Sequence, residues 1–117
     1  MKKEPKVYLS HILSAINLIQ TYVEDQTYNE FLHDNLHQDG VIRELEIIGE
    51  ACKNLEKHFY QTYPQIPWDI IIGTRNHLTH EYWDIDLEEI WHTAKTDVPE
   101  LKSQIEGILK SLNGKEK

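Results

Sequence analysis

From Leu87 to Leu112, apolar residues return at alternating steps of four and three: Leu87, Trp91, Ala94, Val98, Leu101, Ile105, Ile108 and Leu112. Only a helix keeps residues so spaced on one side, so the stretch predicts a helix with a heptad seam. Two further stretches carry helical stripes of their own. Tyr8, Ile12, Ile16, Ile19 and Val23 line one over about Val7 to Asp25, and Val41, Leu45, Ile48, Cys52 and Leu55 line the other over Val41 to about Tyr60. No segment alternates as a half-buried strand does, and five glycines and four prolines in 117 residues leave the helical pattern largely uninterrupted. The predicted fold class is all-α, in one domain over residues 1–117 with no linker. In a chain of this length the seam packs inside the protomer rather than forming a free coiled coil.

The punctuation between stripes sets the expected boundaries. The segment after Thr27 (YNEFLHDN) reads as one or two helical turns, and Asp39-Gly40 as the start of the next helix or the turn before it. Gly49 lies inside that helix, where glycine costs about 1 kcal/mol against alanine, so close approach of another backbone is its expected compensation. Tyr63 to Pro67 must be a connection, since each proline lacks a backbone donor and disfavours helix in the residue before it. Pro67 then opens a helix running to about Trp83. Asp84 to Asp86 breaks it, and Asp86 with Glu89 forms a capping box for the last helix. Pro99 is expected to kink that helix, Asn113 to Lys117 to fray, and Trp68, Trp83 and Trp91 to pack the core.

Composition narrows the setting. Cys52 is the only cysteine, which excludes an internal disulfide and a cysteine-ligated zinc and fits a reducing compartment. The start, MKKEPKVYLSHIL, has no apolar run of leader or membrane length because Ser10, His11 and Ser14 interrupt it, so a cytoplasmic location and no membrane contact are expected. A net charge of -8 disfavours a surface that grips nucleic acid broadly, because phosphate binding depends on Lys and Arg. Any RNA contact must be local.

The helix from Trp68 holds the chemistry. Projected at about 100° per residue, Ile71, Leu78 and Tyr82 share a stripe, with Arg75 in its middle, while Gly73, Asn76, His77, His80 and Asp84 line the adjoining face. A guanidinium within an apolar stripe needs a partner, either a carboxylate of the preceding helix, Glu46 or Glu50, or a phosphate. Histidine is the side chain that ordinarily exchanges protons near neutral pH, so His80 can take a proton from a ribose 2′-hydroxyl while Arg75 stabilises charge on the attacked phosphate. That scheme needs no metal and no cofactor. Five residues set Arg75 and His80 about 140° apart around the axis and about 7.5 Å along it, so a second copy of the helix across a homodimer cleft is expected to complete the site. His77, His80 and Glu81 can meet as metal ligands, but their spacing is permissive and no metal is assigned.

Arg75-Asn76-His77-Leu78-Thr79-His80-Glu81-Tyr82 matches the R-x4-H-x-Y motif and resembles the HepT-like branch of the HEPN superfamily. Ile66-Pro67-Trp68, Ile71-Ile72-Gly73, the segment from Val41 to Ala51 and Asp97-Val98-Pro99 are similar to that branch too, so the resemblance covers nearly the whole chain. It implies a four-to-five-helix bundle, a homodimer, and a metal-independent endoribonuclease toxin of a type VII-like HepT/MntA pair, whose antitoxin is a minimal nucleotidyltransferase. It further implies catalytic roles for Arg75 and His80, supporting polar roles for Asn76 and His77, and modification of Tyr82 with AMP by the partner. The alternative is a non-catalytic HEPN module that binds nucleotide or docks the nucleotidyltransferase. A third reading is a structural dimer in which Glu46 or Glu50 consumes Arg75.

Overall fold

A computed structural model describes residues 4–115, and among them every regular element is helical. Helix α1 spans Pro5–Val23, with Pro5 in the first turn, where its missing N–H costs nothing. Ile12, Ile16, Ile19 and Val23 of its expected stripe are buried, and Leu9 is buried where Tyr8 was expected, Tyr8 being only half-buried. The short α2, Tyr28–Leu32, opens with a capping box: Thr27 accepts from the Glu30 N–H at 3.1 Å, and Glu30 accepts from the Thr27 N–H at 2.8 Å. The expected turns after Thr27 are therefore present.

Helix α3, Asn35–Asn54, begins earlier and ends earlier than its apolar stripe implied. Asp34 caps it, accepting from the His37 N–H at 3.1 Å, so Asp39-Gly40 falls inside the helix and not at its start. Leu55 then turns extended, and a separate helix α4 follows at Lys57–Thr62. The break lets Leu55 and Phe59 both enter the core, while the Tyr60 hydroxyl donates to the Cys52 carbonyl at 2.8 Å and satisfies a helix-end acceptor.

Helix α5 spans Trp68–His80, with Pro67 at its N-cap. The Trp68 indole donates to the Tyr63 carbonyl at 2.9 Å and ties the proline-bounded connection to the helix it precedes. A 3₁₀ turn follows at Tyr82–Asp84, so the helix stops short of the expected Trp83. Helix α6, Leu87–His92, is capped by Asp86, which accepts from Glu88 N at 2.9 Å and Glu89 N at 3.5 Å. The cap uses Asp86, and no bond from the Glu89 side chain back to it is present among the described residues.

Helix α7, Val98–Lys115, continues α6 through a π-helical stretch at Thr93–Asp97, where the Val98 N–H reaches back to Thr93. Pro99 explains the widening. It can donate no hydrogen bond, and its ring crowds the carbonyl four residues back, so the ladder expands by a residue where a kink was expected. Ala94, Val98, Leu101, Ile105 and Ile108 of the heptad seam are buried, and Ile90 joins them from outside it. Asn113 to Lys115 stay helical and do not fray; Glu116 and Lys117, like Met1 to Lys3 at the other end, lie outside the described residues.

In the assembled fold α3 packs on α1 along one side and on α5 along the other, and α7 packs on α1. The core is built mainly from α1, α3 and α7, while α5 buries only Trp68 and Leu78 fully. No helix among the described residues is long and apolar enough to cross a membrane.

Candidate active site at the end of α5

Two contacts one helical turn apart dock α5 on α3. The Arg75 Nη2 lies 3.1 Å from the Glu50 carboxylate, and the Thr79 hydroxyl donates to Glu46 at 2.8 Å. Rising numbers on one helix meet falling numbers on the other, so the helices run antiparallel here. Of the two glutamates expected as partners of Arg75, Glu50 takes the role, whereas Glu46 serves Thr79.

Gly49 sits where the helices come closest. A Cβ there would collide with Cβ and Cγ of Arg75 and stand 3.2 Å from the Ile71 carbonyl oxygen, which is the close approach its position in the sequence called for. The Arg75 stem is therefore fixed by packing and its head by hydrogen bonds, with Nη1 donating to the Asn76 Oδ1 at 3.0 Å. The side chain is 21% exposed, and Glu50 and Asn76 take one each of its five N–H donors.

The two histidines that follow divide the labour. Both ring nitrogens of His77 are occupied: Nε2 donates to the Asp84 carbonyl at 2.8 Å, and Nδ1 faces the Glu81 carboxylate at 3.3 Å. With the Glu81 N–H donating to the His77 carbonyl at 2.8 Å, these bonds end α5 and fold the chain back into the 3₁₀ turn. His80 is exposed and has no hydrogen bond or ion pair among the described residues. Its ring faces solvent, whereas both ring nitrogens of His77 are engaged.

Tyr82 and Trp83 emerge on the turn. Tyr82 leaves the stripe it would have shared with Leu78 in a longer helix and is 71% exposed. Trp83 is 72% exposed, contrary to the expectation that all three tryptophans pack the core; Trp68 is buried, and Trp91 lies half-buried against Phe31.

His77, Glu81 and Asp84 offer ligand atoms within 4.8 Å of one another, so Asp84 takes the place expected of His80 in any metal-binding group here. Glu81 approaches one ring nitrogen and Asp84 the other. Nε2 is committed to the Asp84 carbonyl, and Nδ1 beside Glu81 can face either a proton or a cation. Accordingly, the bond to the Asp84 carbonyl raises the His77 pKa above its ordinary value; partial burial opposes this, and the Glu81 hydrogen bond and the charges of Glu81 and Asp84 add to it.

A raised pKa makes this clasp complete below the unfolded-chain value near 6.5 and lost as pH rises through the folded value. A histidine-labelled NMR titration should find His77 above the free-imidazole value, with Glu81→Gln lowering it. Titration at or below that value would rule the clasp out.

Cys52 is no nucleophile, since burial pushes its thiol up to about 12. A groove of about 370 Å³ between α3, α5 and the π segment is lined by Ile48, Ile71, Thr74, Val98 and Leu101 among others, but by neither Arg75 nor His80. Neither the Glu46–Thr79 bond nor the role of the Asp84 carbonyl has a signal in the residue pattern, because both depend on where helices end and cross.

An all-helical chain with this motif closing an exposed helix end defines a narrow class. Residues 12–108 match the family described as Ribonuclease HepT-like, and the chain belongs to that family. It is 41% identical over 110 residues to a protein of Thermococcus cleftensis named "Probable ribonuclease HepT", covering 94% of this chain and 100% of that one. It is 39% identical over 114 residues to a "Putative RNase" of Methanocaldococcus jannaschii, covering 97% and 98%. A longer protein of the same organism, named "Gamma-glutamylcyclotransferase and putative RNase", is 42% identical over 113 residues; the chain spans 51% of its length. No solved structure was found to match the chain.

Proposed function

We propose that this chain is a metal-independent endoribonuclease, the toxin of a HepT/MntA-like toxin–antitoxin pair, acting in the cytoplasm as a homodimer. The observation that carries the reading is the exposed, unpartnered His80 on the same helix as a fixed Arg75 with N–H donors to spare, within a HepT-like chain. His80 removes the proton of a ribose 2′-hydroxyl, and that oxygen attacks the adjacent phosphorus. The 5′-oxygen bond then breaks, leaving a 2′,3′-cyclic phosphate and a 5′-hydroxyl end. Arg75 stabilises the charge gathering on the phosphoryl oxygens, with Asn76 holding its guanidinium in place. The proton for the leaving oxygen comes from the partner subunit's His80, which the divergence of Arg75 and His80 along one helix favours. Tyr82, exposed beside the site, is the residue a nucleotidyltransferase antitoxin would modify with AMP, setting bulk and negative charge where RNA phosphate must lie.

Purified protein should cut RNA at the same rate with and without EDTA and leave 2′,3′-cyclic ends. A rate abolished by chelator would sink the metal-free scheme. The Glu50–Arg75 pair favours one second reading, a non-catalytic module that docks the nucleotidyltransferase or binds nucleotide. Absence of cleavage on diverse unmodified RNAs, with the partner still bound, would select it.

A further inference from the structure

We infer that Trp83 is a base-stacking platform that seats an unpaired nucleobase of single-stranded RNA beside His80, an inference that rests on the ribonuclease reading. Of the three tryptophans, Trp68 packs against Tyr60 with ring centroids 5.4 Å apart, and Trp91 against Phe31 at 5.2 Å. Trp83 is 72% exposed, and its one aromatic neighbour among the described residues, Tyr82, stands T-shaped to it at 5.5 Å and 78°. At that exposure most of the indole surface is open to solvent. The backbone turn that carries this exposed ring is pinned at both ends. Glu81 N–H donates to His77 at 2.8 Å, Asp84 N–H to Glu81 at 2.9 Å, and the His77 ring to Asp84 at 2.8 Å. A platform carried on an already ordered backbone loses less entropy when a base settles on it.

Position and charge select the occupant. Three residues from His80, the Trp83 Cα lies no farther than about 11 Å from that of the proton-accepting residue, within reach of a neighbouring nucleotide. Glu81, Asp84, Asp86 and Glu88 surround the turn in sequence, and the chain carries a net charge of -8. Phosphate is repelled from such a surface, whereas the neutral face of a base is not. Stacking therefore supplies here the affinity that lysines and arginines supply on basic nucleic-acid proteins, and it does so for any base that is not paired.

The test uses the full chain, an uncleavable single-stranded 2′-fluoro RNA of mixed sequence, and fluorescence anisotropy across a salt series. Trp83→Ala should weaken binding roughly 5- to 150-fold, Trp83→Leu should do the same, and Trp83→Phe should retain most of it. The salt dependence should stay that of wild type, while Arg75→Ala flattens it by about one ion. An abasic residue at the stacked position should erase the difference between wild type and Trp83→Ala. Because Trp83 is exposed, all three variants should match wild type in thermal unfolding.

Wild-type affinity in Trp83→Ala overturns the inference, as does full affinity in Trp83→Leu, which would make the patch a general apolar contact such as a protein docking surface. If wild type cuts RNA but Trp83→Ala binds and cuts equally well, the platform fails and the ribonuclease stands. If wild type neither binds nor cuts, both fail.

Discussion

His80→Ala should lower RNA cleavage about 10²- to 10⁴-fold while leaving thermal unfolding within about 0.5 kcal/mol of wild type. The separation of activity from stability follows from the position of the ring, which is exposed and bonded to nothing among the described residues. Arg75→Ala should cost a comparable factor but behave differently in the unfolding experiment. Its stem fills the space over Gly49, and its head holds Glu50 and Asn76, so stability should fall as well. Glu50→Ala separates the two roles of the arginine. The ion pair lies at the rim, with the glutamate side chain 51% exposed, and pairs of that kind contribute about 1 kcal/mol or less. Glu50→Ala should therefore be the milder variant in unfolding. If it destabilises the protein as strongly as Arg75→Ala, the guanidinium is a structural strut. If His80→Ala cuts RNA at the wild-type rate, the proposed chemistry resides elsewhere.

The contrast between these residues also shows what the sequence could disclose. The all-helical fold was legible because spacings of three and four recur in α1, α3 and α7, and burial follows them. The R-x4-H-x-Y motif was legible because it is contiguous. What the spacing could not fix was decided across helices. Glu46 and Glu50 stand one turn apart on one face, so either could have reached Arg75, and only the antiparallel register assigns Glu50 to Arg75 and Glu46 to Thr79. Helix ends were hidden for a related reason. An apolar stripe continues through Leu55 whether or not the backbone does, and nothing in the pattern near Trp83 announces that His77 will capture a carbonyl seven residues on. Trp83 was expected inside because tryptophan usually is, and it emerged because that captured turn carries it past the end of α5.

Gly49→Ala should destabilise the protein by about 1–3 kcal/mol, although alanine is favoured over glycine inside a helix by nearly 1 kcal/mol. The new methyl would meet the Cβ and Cγ of Arg75 and a backbone carbonyl, and Cβ and a carbonyl cannot swing aside as the end of a long side chain can. The clash is relieved only by moving α5 off α3. That movement lengthens Glu50–Arg75 and Glu46–Thr79 together and loosens the Arg75 head from the carboxylate that holds it, so cleavage should fall along with stability. Gly73 supplies the control. It lies on the same helix α5 with nothing within 4 Å of its missing Cβ, so Gly73→Ala should gain up to about 1 kcal/mol from helix propensity alone. Chemical denaturation of both variants decides the matter. Opposite signs show that close approach, rather than the flexibility of glycine, is what the chain requires at position 49, and that the α3–α5 crossing is what aims Arg75. A stabilised Gly49→Ala with undiminished activity would mean that the crossing yields at little cost and that Arg75 is not held by it.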